Sequence, residues 1–594
     1  MISGTRHWYL RNPVTILALA AAAWILYIPS VHYDFVYYDD VRILQQHPEL
    51  YGQPDLPADL KAIFVTAYPR EEPLLVRDVS WAADSLIFGF NNPIGYHLDN
   101  VLLHGLVVAL LFLFLLETTG RYDFALAVSA AWLLLAVHVE PVAWIMGRKD
   151  ILSALFMLAA LCAQTRRLTA QTRAGRCIWY ALTLFFFIIA LLSKINVLTF
   201  PLVLFLHAVF FPYLRGERKP DDGLSFDRTG FETLLSFPAL VASGIVFVWY
   251  QRILAQVGLF DRGYTAHGAA HLWNLLMNNS MGFWLYLRQV FFPWHLSVLY
   301  TWPGLLEHYP AWQIVAALAT AAAIIAVGVW MFRRHKDIFF YYAAFFMLMI
   351  PYLNLIYIGI WVADRYIYFS AFCILAIATT LAQAAFRSSR PIPRIAAMTG
   401  CVAFAAVNLY QTFSYEPMWR NGETLWQYHL TLPRPSSIAY ENLAAYYYAQ
   451  FSSAHAQNNM PMMVLSLKKM EAVIDTGLAQ FWPDHHEPPP QTTSYLFFLQ
   501  SLAQEVKGDQ TAALESLLIS DRLHPGFAPT ELNLSLLYRK LAEASRSPQQ
   551  QKAYLEEARD RYSQYITLTC RGRPAPPDVQ KQLAEIEKSL SEIH

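Results

Sequence analysis

The chain has 594 residues, of which 56% are hydrophobic and 15% charged, with 38 Phe, 34 Tyr and 17 Trp. That is too apolar for a soluble protein of this length, so the chain reads as an integral membrane protein. Lys+Arg and Asp+Glu balance at 44 each, which excludes the one-signed field of a nucleic-acid binder, and five scattered cysteines supply neither a disulfide framework nor a thiolate metal site.

In chain order, Arg6 and Arg11 precede an apolar run at 13–31 without a well-placed small-residue cleavage site, so this run reads as a retained first helix. Further spans are expected near 97–116, 124–137, 151–164, 178–192, 197–213, 232–251, 312–332, 338–356, 367–386 and 395–412, eleven in all. Four basic clusters fall between them: Arg166, Arg167, Arg173 and Arg176; Arg215, Arg218 and Lys219; Arg333, Arg334 and Lys336; Arg387, Arg390 and Arg394. The positive-inside rule makes all four cytoplasmic, provided that the amphipathic segment 272–292 lies at the outer surface without crossing. The loops 32–96, 138–150, 193–196, 252–311 and 357–366, with everything beyond Gln411, then share the outer face.

Charge collects on that face. Asp39 and Asp40 follow the first span, where a carboxylate pair at a membrane rim suits removal of a proton from a hydroxyl. Read as an extended segment, they point to opposite faces, so one acts and the other supports. The 138–150 loop carries His138, Glu140, Arg148, Lys149 and Asp150; if helix begins at 141, Trp144 and Arg148 share a side while Asp150 points elsewhere. Lys194, Asp364 and Arg365 stand in later outer loops, and Arg288 in the 272–292 segment. Arginine and lysine at such a rim suit a phosphate or pyrophosphate; snorkelling side chains and loop-pinning ion pairs are the plainer alternative. His97 and His104 lie seven apart beside Asn100 on the second span, a polar stripe in which His104 reads as a structural hydrogen-bonder and His97 as a possible supporting group nearer the surface.

The segment from about Phe413 to His594 differs in composition and reads as a separate helical domain, dividing the chain into 1–412 and 413–594. Its helical patterns pair as 437–453 with 462–480, 492–507 with 510–523, and 529–545 with 549–568, near the 34-residue period of tetratricopeptide (TPR) repeats. A stack of this kind offers a groove for a protein segment, or else simply caps the bundle. Asp484-His485-His486-Glu487, ahead of three prolines, reads as a solvated loop in preference to a metal site.

Several blocks together resemble one family. Phe35-Val36-Tyr37-Tyr38-Asp39-Asp40, His97-Leu98-Asp99-Asn100 through His104, the run His138 to Phe156, Ser193-Lys194, Tyr286 with Tyr300, Ala363-Asp364-Arg365-Tyr366 and Trp419-Arg420-Asn421-Gly422 stand in the order found in the transmembrane and TPR-containing O-mannosyltransferases and their bacterial relatives. Departures occur where Glu72-Pro73-Leu74-Leu75 replaces an arginine-led block, with Arg70 and Arg77 to either side, where Ile195 follows Lys194, and where His207 stands at a common aspartate position.

The resemblance implies an all-α GT-C glycosyltransferase followed by a TPR-like α-solenoid, taking sugar from a polyprenyl-phosphate donor to an extracytoplasmic acceptor, with protein Ser/Thr expected. A compatible mechanism has Asp39 as base and Asp40 as its orienting neighbour, by analogy with the paired acidic motif of related enzymes. The acceptor hydroxyl attacks the anomeric carbon with inversion, while Arg148, Lys194, Arg365 or Arg288 stabilises the departing phosphate. Glu140, His97, His138, Asp364 and Lys149 are expected in support. No cofactor follows with certainty, and a divalent cation at Asp39, Asp40 and Glu140 stays open; the partners are the lipid-linked sugar, membrane lipid and a protein acceptor, not nucleic acid. Short loops fit a bacterial inner membrane, with the site and the C-terminal domain periplasmic. The alternative is a lipid-sugar transporter or a non-enzymatic scaffold; polar residues gathered at one rim, not strung through span interiors, favour chemistry at an interface.

Overall fold

The computed structural model describes residues 3–53, 55–65, 74–257, 269–300, 310–354, 360–482, 491–570 and 575–593. Arg70, Glu72 and Pro73, and the Asp484–Glu487 run, lie outside them. The described residues are helical, with no strand among them, and the chain divides into two compact units, Met1–Thr424 and Leu425–His594.

In the first unit seven described helices are long and apolar enough to cross a membrane: Asn12–His32, Pro93–Thr119, Arg173–Ser193, Ile195–Leu214, Thr229–Arg252, Ala311–Arg334 and Pro391–Arg420. An eighth crossing arises if Tyr122–Leu133 and Ala136–Ala143, bent by 58°, count as one span. The bend has a visible cause: the Ala136 N–H leaves the helical ladder and donates to Asn408 Oδ1 at 3.1 Å. The other three expected spans differ from a full crossing. The segment 151–164 sits inside Arg148–Thr169, which carries charge at both ends; 338–356 contracts to the 14-residue Lys336–Met349, stopped before Pro351; 367–386 contracts to the 16-residue Ala371–Phe386. At 1.5 Å per residue, 14 residues reach about 21 Å, short of a hydrocarbon core of about 30 Å. The 272–292 segment lies in the Ala269–Phe291 helix, which is not among the seven.

Arg148–Thr169 and Arg173–Ser193 form a long hairpin closed by Thr172, whose Oγ1 accepts the Gly175 N–H at 3.1 Å and so caps the second helix. Each helix runs about 30 Å. Arg166, Arg167, Arg173 and Arg176 stand at the closed end, and Arg148, Asp150 and Lys194 at the open end. The two charge sets therefore occupy opposite rims of the bundle.

The second unit contains three consecutive helical hairpins: Ser437–Ala456 with Met460–Phe481, Ser494–Val506 with Gln510–Leu523, and Ala528–Ala544 with Pro548–Cys570. These are the expected pairs to within a few residues. Buried Leu496, Leu499, Leu517, Leu534 and Leu537 fill the space between them. Gly477 allows close packing at the first junction, since a Cβ there would stand 3.0 Å from Tyr440 Cγ and 3.1 Å from Leu496 Cδ1. A further helix, Pro577–Ser591, packs on Pro548–Cys570. The sequence reading missed it because the segment is polar, and Ile586 is its one buried residue among those described.

Candidate active site

The first membrane helix ends in a 3₁₀ turn at Ile28–His32, after which buried Phe35 and Val36 anchor the chain and the Asp34 N–H donates to Arg420 O at 2.9 Å. Asp39 has helical backbone angles (φ −71°, ψ −25°) and leads into a wide π-type turn at Asp40–Gln45. The two aspartates are therefore not on an extended segment as expected, yet they still diverge. The Asp39 side chain is 17% exposed and accepts from Arg42 Nη2 at 2.9 Å, whereas Asp40 is fully buried and accepts the Val36 N–H at 3.1 Å. Burial pushes the Asp40 carboxyl up to about 8, against the pull of the Val36 amide and with the help of the Asp39 charge. Asp40 consequently keeps its proton at neutral pH.

Residues 138–150 are not the open loop expected. They fold into short turns at Ala136–His138, Val139–Ala143 and Ile145–Gly147, all buried, before the long helix starts at Arg148. Gly147 permits this compression, because a Cβ there would lie 2.2 Å from Pro141 O. Trp144 is extended (φ −93°, ψ 126°), so it does not share a helical face with Arg148. It becomes instead the centre of the site. Tyr38, next to Asp39, stacks on Trp144 at 5.7 Å; Trp419 packs at 5.9 Å; and the Arg365 guanidinium lies over the indole at 5.4 Å. Arg365 is held by Glu140, whose Oε1 takes its Nη1 and whose Oε2 accepts its backbone N–H at 2.8 Å. The Tyr38 hydroxyl is raised above its ordinary range by burial first and then by the Asp39 charge, with Arg365 opposing, so acid loop and cation act on one phenol.

Lys194 pairs with Asp150 across the open end of the hairpin, its ammonium 5.2 Å from the Tyr352 ring and 5.8 Å from Tyr366. Those rings stack at 4.3 Å. Lys194 and Arg365 border one small cavity of about 30 Å³, along with Asp150, Tyr352, Tyr366 and Ser370, which has room for water between the two cations. Asp364, beside Arg365, is buried as a strut: it accepts from Gln289, from the Tyr300 hydroxyl at 2.7 Å and from the Ser297 N–H at 3.0 Å. Burial and then the Glu140 charge hold its carboxyl well above the usual range. Arg288 is exposed on the Ala269–Phe291 helix, and its charge is felt at Asp364.

The remaining residues brace the site. Arg148 is completely buried and spends its guanidinium on Asn100, on Asp84 and the Tyr96 carbonyl at 2.8 and 2.7 Å, and on the Ser80 hydroxyl at 3.1 Å. Its neighbour Asp84 is raised to about 7 by burial, with Arg148 opposing. Lys149 is 8% exposed. His97 is buried edge-on to Tyr33 at 6.4 Å, and His138 lies 4.0 Å from Trp132 and 4.9 Å from Tyr368. His104 has the structural part expected of it, its Nδ1 sharing a 2.8 Å hydrogen bond with the Tyr368 hydroxyl. Glu140 is occupied by Arg365, which leaves it with no oxygen free for the ion that the sequence left open at Asp39, Asp40 and Glu140; among the described residues no three His, Cys, Asp or Glu side chains meet to hold a metal.

Sequence reasoning passed over Asp84 and the Arg77–Asp78 pair. Arg77 is fully buried, bonds Asp78 at 2.8 Å, lies 4.5 Å over Trp81 and reaches Met146 Sδ at 3.7 Å. The available signal was the presence of Arg77, Asp78 and Asp84 in the otherwise apolar Leu75–Phe88 helix. Asp150, read only as pointing away from Arg148, turns out to be the partner of Lys194.

The fold and site define a multi-pass helical membrane protein with an acid pair and buried cations at one rim, followed in the chain by a unit of helical hairpins. No family model and no solved structure matches the chain. It is similar to protein O-mannosyl-transferase Tmtc1 of Drosophila melanogaster, 29% identical over 259 residues that make up 42% of this chain and 29% of that protein. It is similar also to protein O-mannosyl-transferase TMTC1 of Mus musculus, 32% identical over 186 residues, 29% of this chain and 19% of that protein. The resemblance read from the motifs is thus found again in curated relatives, of whose length the chain spans less than a third.

Proposed function

We propose that the chain is an inverting GT-C glycosyltransferase that moves a sugar from a polyprenyl-phosphate carrier to a hydroxyl of an extracytoplasmic protein, in a bacterial inner membrane with the site facing the periplasm. The observation that carries this reading is the meeting of acid loop and a buried cation on one indole: Tyr38 stacks on Trp144, and Arg365 lies across the same ring. The similarity to protein O-mannosyl-transferases supports the reaction class.

Asp39, the accessible member of the pair, takes the acceptor proton. Asp40, buried and protonated, holds the turn through Val36. As the hydroxyl oxygen bonds to the anomeric carbon, the bond to the phosphate oxygen breaks and its electron pair leaves with the phosphate. Lys194 and Arg365, stored as neutral pairs with Asp150 and Glu140, supply the positive charge that this oxygen needs. Arg148 acts indirectly, by fixing Asp84 and Asn100 under the site. The hairpins of the second unit, read as TPR-like repeats, recruit or present the protein acceptor.

Intact-mass analysis of extracytoplasmic proteins from cells carrying the wild-type, Asp39→Asn or Asp40→Asn chain tests the reading. A sugar-sized mass present with the wild type and missing with Asp39→Asn is the expected result. Persistence of that mass in both variants sinks the assignment of the acid pair; its absence from every protein in wild-type cells sinks the protein acceptor.

A further inference from the structure

The opposite rim holds a second polar cavity, of about 720 Å³, at the ends of the Arg148–Thr169, Arg173–Ser193, Phe200–Leu214 and Phe226–Val257 helices. Three arginines line it. Arg167 is 7% exposed and bonds Glu232 Oε2 at 2.7 Å through Nη2, but its buried Nε has no hydrogen-bond partner. Leaving such a donor unmet inside a protein costs roughly 1–3 kcal/mol, so a native structure normally supplies an acceptor. The side chains of Arg176 and Arg218 are exposed and donate one hydrogen bond each, to the Ala170 and Gly223 carbonyls at 3.1 Å; neither pairs with a carboxylate among the described residues. Of the two carboxylates that line the cavity among the described residues, Glu232 is taken by Arg167, and Glu217 lies 3.9 Å from Arg215. Positive charge is therefore in excess, in forks suited to an oxyanion.

One wall of the cavity is apolar and faces outward. Phe231 lines it and is 57% exposed, and Leu234, three residues along the same helix, is 70% exposed. They belong to the Thr229–Arg252 span, only 17% of which is buried in the protein. An anion held by Arg176 and Arg218 thus sits directly over a surface made for hydrocarbon, which a free inorganic ion has no use for. A basic pocket between helix ends at a membrane rim has the chemistry that retains anionic headgroups.

We propose that this cavity binds the phosphate of an anionic membrane phospholipid, with Arg176 and Arg218 gripping its oxygens, Arg167 Nε donating from inside, and an acyl chain lying along Phe231 and Leu234. The site stands apart from the acid pair and does not depend on the transfer reaction.

The test measures thermal unfolding of the full chain in dodecyl maltoside, titrated with phosphatidylglycerol, phosphatidylcholine or inorganic phosphate. Phosphatidylglycerol is expected to raise Tm where phosphatidylcholine does not, and Arg176→Gln/Arg218→Gln to raise the lipid concentration at half-effect by roughly tenfold. Arg387→Gln/Arg390→Gln, which removes two exposed arginines from a separate basic cluster, should leave the titration unchanged. An equal shift with phosphatidylcholine, or equal weakening by both double variants, overturns the site; full reproduction of the shift by inorganic phosphate overturns the lipid as its occupant. If Arg176→Gln/Arg218→Gln fails to fold, Arg176→Lys/Arg218→Lys keeps the charge but loses the forks, and an unaltered titration there overturns the grip assigned to them.

Discussion

At the open end of the Arg148–Thr169 and Arg173–Ser193 hairpin, the Asp150 and Lys194 side chains are 3% and 8% exposed and bonded to each other, with Arg365 equally enclosed by Glu140 nearby. At the closed end, Arg166 is 42% exposed over Glu117, and Arg173 and Arg176 lie open to solvent. One pair of helices thus carries charge at both ends, enclosing it at the open end and, apart from the buried Arg167–Glu232 pair, leaving it exposed at the closed end. A buried ion pair rarely repays its desolvation in stability, so a rim that buries Arg365, Lys194, Glu140 and Asp150 together is organised for something other than holding the fold. An exposed arginine rim costs little, and as proposed above it holds a lipid headgroup.

The comparison can be broken most sharply at Asp39. Replacing it with Asn should lower sugar transfer by roughly 10²–10⁴-fold with little change in Tm, since the side chain is partly exposed and its loss removes a proton acceptor and not a packing group; a transfer assay on the purified chain reads this, and near-wild-type turnover would remove the base from the site. Next in size, Arg365→Gln should cost about 3–5 kcal/mol by leaving Glu140 buried without its cation, with the double variant Glu140→Gln/Arg365→Gln less damaging than either alone. Chemical denaturation of the three variants would contradict the buried-pair account if the effects simply added.

A smaller effect is expected from pH. The Asp40 carboxyl, raised to about 8 in the folded chain from 3.8, binds its proton more tightly folded than unfolded. Between those values stability falls as pH rises, because the unfolded chain has already released this proton while the native carboxyl still holds it. Asp84, raised to about 7, works in the same direction. Tm measured from pH 5 to pH 8 should decline in the wild type and decline less in Asp40→Asn; equal slopes would show that Asp40 is ionised or solvated. Smallest of all, Arg166→Gln at the exposed rim should shift stability by no more than about 1 kcal/mol. A loss as large as that of Arg365→Gln would erase the distinction between the two ends.

Much of this organisation is legible in the residues. Paired helical patterns after residue 437 become the three hairpins because helices and their end signals are local: Asn459 and Asp509, for instance, cap the second helices of the first two pairs. Asp39, Asp40, Lys194 and Arg365 stand out as charges beside apolar runs, and the structure collects them at one end of the bundle. Run length served less well where the chain bends: 338–356 reads as a span, yet Pro351 closes the helix early, and 124–137 breaks at Ala136 because Asn408, far along the chain, captures its amide.

Side-chain partners were the least legible part. Arg148 reads as a ligand for phosphate, and only folding brings Asp84 and Asn100, 64 and 48 residues away, to enclose it. Glu140 reads as a possible metal ligand until Arg365, 225 residues on, occupies both its oxygens. Trp144 reads only as a helical neighbour of Arg148 and becomes the contact between the acid loop and Arg365.

The sequence by itself determined that this is a membrane chain, that its charges gather at the ends of apolar helices, and that a segment of paired helices follows. Hydropathy and periodicity act through neighbours in the chain, so they survive without coordinates. Which charge neutralises which, and whether Asp40 keeps its proton, was decided only by the tertiary structure, because ion pairing and desolvation depend on distances between residues that the chain keeps far apart.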